Sequence, residues 1–165
     1  MDIERIYREH ALPLYRYLFR FSGDADSAAD AVQETFLRLV ERTPHDGGVR
    51  GWLYRVGTNL VMERGRTHRR RLRLLENHPD RAPIGDPPAD PVEETERRER
   101  RREVQRALSL LSERDRTVLL MRAEGFTQRE IAEALQVNPK AMGSILNRAQ
   151  AKLAAALRIH VEVEP

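Results

Sequence analysis

Residues Asn77–Thr95 read NHPDRAPIGDPPADPVEET and hold five of the nine prolines in a chain of 165 residues. Proline removes an amide donor and restricts the residue before it, so neither a helix nor a central strand runs through this stretch. Few apolar residues and an acidic excess favour disorder there. The proline tract therefore divides the chain into an N-terminal module over 1–75, a flexible acidic linker over 76–95 and a C-terminal module over 96–160. A hydrophobic content of 40% and a charged content of 33% suit two small helical units with thin cores rather than one large core.

Charge follows the same division. Residues 1–75 carry 14 basic and 10 acidic side chains, the linker one and six, and residues 96–165 again 14 and 10. Two basic modules flank an acidic connector, and basic surfaces attract polyanions. There is no cysteine, which excludes disulfides and cysteine-bearing zinc sites and suits a reducing, cytoplasmic setting. His10, His45, His68, His78 and His160 show no ligand spacing, so no metal and no cofactor is expected. No apolar run approaches the roughly 20 residues that cross a bilayer, and the charged start MDIERIYREH is not a signal peptide. No nucleophile–base pair or phosphate loop is evident, which points to a binding protein rather than an enzyme.

The N-terminal module reads as all-helical. Ile3, Ile6, Tyr7, Leu14, Tyr17, Leu18 and Phe21 recur at near-helical spacing, with a kink expected at Pro13. Ser22-Gly23-Asp24 breaks this segment, and Asp24 or Asp26 caps a second helix carrying Ala28, Val32, Phe36, Leu37 and Val40. Thr43–Gly48 reads as a loop from its proline and glycines. A third helix is expected from Val49 to Leu75, with Trp52, Leu53, Val56, Leu60 and Val61 on one side. Its end carries Arg64, Arg66, Arg69, Arg70, Arg71 and Arg73 with no acid among them. Aromatics near the start, the polar Thr58-Asn59 pair and the basic end suit unstacked bases and a phosphate backbone. Trp52, Arg55, Asn59, Arg64, Arg66, Arg69 and Arg70 are the candidate contacts. A plain core role for Trp52 stays open.

The C-terminal module is helical as well. Glu96–Leu111 starts highly charged and turns apolar at Val104, Ala107, Leu108 and Leu111. Ser112-x-x-Asp115 resembles a capping box, and Thr127-x-x-Glu130 fits one fully. Asn138 followed by Pro139 marks another helix start, after which Met142, Leu146, Ala149, Leu153 and Leu157 form a stripe. Over Thr127–Leu153 a short helix, a tight Gln136-Val137 turn and a second capped helix follow one another. Ile131, Ala132, Leu135, Val137 and Met142 are expected to face inward. This is the grammar of a helix-turn-helix, whose second helix enters the major groove N-terminus first. Asn138, Lys140, Ala141, Ser144 and Asn147 are then placed towards base edges, and Thr127, Gln128, Arg129, Arg148 and Lys152 towards phosphates. The turn position commonly filled by glycine is Gln136. If its backbone needs a positive φ, glutamine costs roughly 1 kcal/mol relative to glycine.

Three stretches, Ala31–Val40 (AVQETFLRLV), Gly51–Val61 (GWLYRVGTNLV) and Leu111–Leu135 (LSERDRTVLLMRAEGFTQREIAEAL), resemble in order and spacing the sigma factors of bacterial RNA polymerase, of the compact extracytoplasmic-function subgroup. With the helix after them they cover most of the chain outside the linker. The resemblance implies two helical domains and a role in directing core RNA polymerase to promoter DNA. It makes the helix holding Asp30, Gln33, Glu34 and Arg38 a polymerase-docking surface. The loop Arg42–Val49 would capture a flipped base, with Asn59 beneath it. The arginine-rich helix end would meet the upstream edge of the melted bubble, and the helix-turn-helix would read a distal duplex element. Members of this subgroup are often held by an anti-sigma factor, a further partner implied. Fully extended, a 20-residue linker reaches roughly 65 Å, or about 19 base-pair rises, enough to span two promoter elements. The sequence departs from the family pattern where an Asp-Ala-Glu-Asp motif is common, since Ser27-Ala28-Ala29-Asp30 stands there. It departs again where a lysine and an arginine common in the recognition helix are Gly143 and Ile145, which predicts fewer phosphate contacts. Two other readings remain open: a stand-alone helix-turn-helix regulator, and a sigma-like protein governed mainly by protein interaction.

Overall fold

The structure is a computed structural model that describes residues 1–42, 44, 48–74 and 95–163. Among the described residues it is all-α and divides into two compact units, Met1–Pro83 and Ile84–Pro165. The first holds α1 (Ile3–Ser22), α2 (Ala25–Glu41) and α3 (Val49–Leu74). The second holds α4 (Thr95–Ser109), α5 (Glu113–Ala123), α6 (Gln128–Leu135), a single 3-10 turn (Pro139–Ala141) and α7 (Met142–Val163). The connector expected over 76–95 lies outside the described residues except for Thr95, the first residue of α4. Most of the Thr43–Gly48 loop lies outside them as well.

Local chemistry sets the ends of the helices in the first unit. The Asp2 carboxylate accepts from the Arg5 amide and starts α1, which continues through Pro13. Gly23 stops it in left-handed geometry at φ 72°, which glycine adopts without steric cost. The Asp24 carboxylate then accepts from the amides of Asp26 and Ser27 and starts α2. The three helices pack pairwise around Leu14, Tyr17, Leu18, Ala28, Ala31, Leu39, Leu53 and Tyr54. The Tyr17 and Tyr54 rings lie 4.8 Å apart, and the buried Tyr17 hydroxyl hydrogen-bonds Thr58 Oγ1 at 2.9 Å. A buried phenol so partnered avoids the cost of an unmet polar group.

Leu37 and Val40 do not join this core. They are 61% and 64% exposed. The buried positions of α2 are 28, 31, 32, 35, 36 and 39. At about 100° per residue this stripe leaves 37 nearly opposite its centre and 40 about a quarter turn from it.

In the second unit, the Ser112 hydroxyl accepts from the Asp115 amide at 3.1 Å and starts α5. Thr127 and Glu130 form a complete capping box at the start of α6. The Asn138 side-chain oxygen Oδ1 accepts from the Lys140 amide at 2.9 Å and opens the 3-10 turn that leads into α7. The core gathers Leu108, Val118, Met121, Phe126, Ile131, Ala132, Met142, Leu146 and Ala149, while Ala107 and Leu111 pack against Ala156. Leu135 and Val137 are half-buried. Ile145 is also core, at 5% exposure, because 142, 145, 146 and 149 share one side of α7.

Gln136 ends α6 at φ 55° and ψ 41°. The Val137 amide reaches back to the Ala132 carbonyl at 3.0 Å, the six-to-one bond of a Schellman stop. Left-handed geometry costs a residue with a β-carbon about 1 kcal/mol relative to glycine. Gln136→Gly is therefore expected to stabilise this unit by about 1 kcal/mol, raising its melting temperature by roughly 4–8 °C. A lowered melting temperature would show that the glutamine side chain contributes more than the backbone strain removes.

Candidate nucleic-acid interface

The long helix α3 buries one side and presents the other. Leu53, Tyr54, Gly57, Thr58, Leu60 and Val61 are buried. Gly57 lets α1 approach closely, since a β-carbon there would meet the tip of Leu18 at 3.0 Å. On the opposite side, Trp52, Arg55, Asn59, Arg66, Arg69, Arg70 and Arg73 fall within an arc of about 100°. Trp52 and Arg55 are half-buried and the others exposed. At 1.5 Å per residue, the stripe from Trp52 to Arg73 is about 30 Å long. Arg64 is not part of it. It points roughly the other way and pairs with Asp30 of α2 at 3.0 Å. Two residues expected to meet different macromolecules thus meet each other.

The outer side of α2 carries Asp30, Gln33 and Glu34. Arg38 binds the Glu34 carboxylate at 2.9 Å. Leu37 and Val40 lie on this same outer side. Sequence reasoning missed both residues. The available signal was their phase, a quarter to a half turn from the buried 28, 32, 36 and 39.

In the second unit, Lys140, Ala141, Ser144, Asn147 and Arg148 are all exposed and form one stripe at the N-terminal end of α7. Thr127, Gln128 and Arg129 stand exposed at the start of α6, and the Gln128 side chain lies against Gly143. Some of these groups are already engaged. The Thr127 hydroxyl bonds Glu130 at 2.8 Å, and Arg129 binds Glu133 at 3.2 Å. The Asn138 side-chain oxygen already accepts one hydrogen bond as a cap. Lys152, expected to touch phosphate, binds Asp115 at 2.6 Å.

Asp115 is buried at the start of α5. Burial alone raises its carboxyl. The hydrogen bonds from Lys152 and Ser112 and the positive charges of Lys152 and Arg114 outweigh this and hold it below the ordinary carboxylate range. A depressed folded-state value adds stability above the unfolded value near 3.8, and that stability is lost as pH falls through the folded value. Asp115→Asn is expected to cost about 1 kcal/mol at pH 7, discounted because the lysine is largely exposed. The gap between wild type and variant should narrow as pH falls below about 4 and on through the lower folded-state value. Chemical denaturation at several pH values measures it, and a gap that does not narrow with falling pH would count against an ionic origin.

Among the described residues, no group of three or more His, Asp or Glu side chains is placed to hold a metal ion. No helix among them is long and apolar enough to cross a membrane.

The fold and its two basic faces define an all-α protein of two helical units, the second a helix-turn-helix. Comparison with known proteins gives the family. Residues 6–71 match Sigma-70 region 2 and residues 101–153 match Sigma-70 region 4, together more than half of the chain, which belongs to the sigma-70 family. It is similar to the ECF RNA polymerase sigma factor SigE of Mycolicibacterium smegmatis, with 32% identity over 161 residues, covering 95% of this chain and 62% of that protein. SigG of Mycobacterium tuberculosis is 32% identical over 167 residues, covering 85% of this chain and 44% of the relative. The chain thus spans less than two thirds of the length of these curated relatives. Among solved structures, the fold resembles RpoE of Bartonella quintana, determined with the anti-sigma factor NepR, at a TM-score of 0.70 with 19% identity over 96% of this chain and 98% of that one. It also resembles CnrH, determined with the cytosolic domain of CnrY, at 0.66 with 24% identity over 95% and 88%.

Proposed function

We propose that the chain is an initiation factor that brings core RNA polymerase to specific promoters in the cytoplasm. The observation that carries this is the order of region 2 and region 4 in one chain, each with its own basic face on a long helix. On this reading residues 1–75 form a domain that docks polymerase through the outer side of α2, around Asp30, Gln33, Glu34 and Arg38 with Leu37 and Val40 between. The stripe from Trp52 to Arg70 meets the melted proximal element, and residues 96–160 read the distal duplex through α6 and α7. Melting is driven by binding energy. Bases unstacked at α3 gain aromatic and polar contacts that offset a few kcal/mol of unstacking each. The linker over 76–95 holds the two domains at high effective concentration on one promoter. An anti-sigma factor as a second partner is supported by the complex in which the RpoE relative was solved.

The test is transcription in vitro. The protein is added to core RNA polymerase with genomic DNA fragments, and transcript starts are mapped. Discrete starts that depend on the protein are expected. A folded protein that yields none overturns the proposal. Tight sequence-specific duplex binding without polymerase would favour a stand-alone regulator, which normally binds paired half-sites as a dimer.

A further inference from the structure

The outer side of α2 presents a row of carboxylates, Asp26, Asp30 and Glu34, at i, i+4 and i+8. A partner complementary to such a row brings positive charge to it. Two of the three carboxylates are already met from within the chain. Arg38 binds Glu34 at 2.9 Å, and Arg64 binds Asp30 at 3.0 Å. The two pairs differ in kind. Arg38 stands on α2 itself, one turn after Glu34, so it is part of the face that a partner would meet. Arg64 reaches across from α3 and can let go of Asp30 without any change in α2.

The phase of α3 puts Arg64 there. It continues the buried row of Leu53, Gly57 and Leu60 and lies on the side of the helix away from the arginine stripe. An arginine at this place faces α2, and Asp30 is the group it finds. The side chains of Asp30 and Arg64 are 64% and 38% exposed, so the pair lies open to an incoming group. An exposed ion pair carries at most roughly a fivefold preference. That is enough to shift an affinity and too little to resist displacement.

We propose that Arg64 is a positioning residue of the docking face. It occupies Asp30 in place of the partner's cation, is displaced when core RNA polymerase binds, and so holds the affinity below what the bare carboxylate would give. The inference rests on the reading that the outer side of α2 docks polymerase. Its test is the affinity of the full chain for core RNA polymerase, measured by competition against labelled wild type at several salt concentrations. Arg64→Gln is expected to bind about threefold more tightly at 0.1 M salt. The gain should fade towards 1 M, where the screening length is only about 3 Å. Arg64→Lys keeps the charge and should bind as wild type does. Asp30→Asn should bind more weakly, and adding Arg64→Gln to it should change little further, because Arg64 acts through Asp30. A merely structural pair would not give tighter binding when broken. An Arg64→Gln protein with unchanged or weaker affinity overturns the proposal. A gain undiminished on the Asp30→Asn background assigns Arg64 to direct repulsion of the partner and overturns it as well. In either case a wild type that binds core polymerase and gives discrete starts leaves the initiation-factor reading standing. A wild type that binds no core polymerase takes both readings down together.

Discussion

Replacing Arg66, Arg69, Arg70 and Arg73 together by glutamine is expected to lower the salt dependence of DNA binding by about three units of slope. Each phosphate contact contributes roughly 0.7 on single strands and 0.9 on duplex. If the part of the affinity insensitive to salt is unchanged, a slope smaller by three weakens binding about a thousandfold at 0.1 M salt. The four positions recur at i, i+3, i+4 and i+7 on one face of α3 and are exposed. Glutamine is close to arginine in helix propensity, so the helix should persist. Arg64→Gln provides the internal control. That residue faces the other way and binds Asp30, so it should leave the slope unchanged. A quadruple variant with the wild-type slope would show that the stripe is merely solvated.

The second large effect is on stability. Phe126 is 1% exposed between α5 and α6. Its amide donates to the Met121 carbonyl at 3.2 Å, and its own carbonyl accepts from Arg122 at 3.0 Å. The ring is thus fixed at the corner where α5 hands over to the helix-turn-helix. Phe126→Ala removes a buried aromatic and leaves a cavity, at a cost of about 3–5 kcal/mol. A unit this small has little more than that in total. The amides of α5, α6 and α7 should lose their protection from hydrogen exchange. Retained protection there would place the stability of the unit elsewhere.

The features legible in the sequence share a physical property, which is that they are local. Asp24, Ser112, Thr127 and Asn138 each cap a helix through an amide two or three residues away, so the residue type and its spacing contain the whole interaction. The strain at Gln136 was legible for the same reason. Leu37, Arg64, Ile145 and Lys152 were read less well, and each depends on distant chain. Arg64 meets a carboxylate on another helix, and Lys152 meets Asp115 from 37 positions away. Whether Ile145 faces groove or core is decided by which side of α7 the rest of the unit covers. Apolar character alone did not place Leu37 and Val40, because α2 carries apolar residues on both its buried and its exposed side. The candidate α3 face was visible as a list of residue types. Only the fold separates the members that share a side from the one that does not.

The α3 stripe belongs to one uninterrupted helix, and this makes it a ruler as well as a grip. A rigid rod fixes both the distance and the angular phase between Trp52 and Arg73. Whatever is held at one end is held at a set separation from what is held at the other. On the proposed function, variation in spacing between the sites bound along this face cannot be absorbed within the helix, and the first unit would act as a caliper of fixed opening.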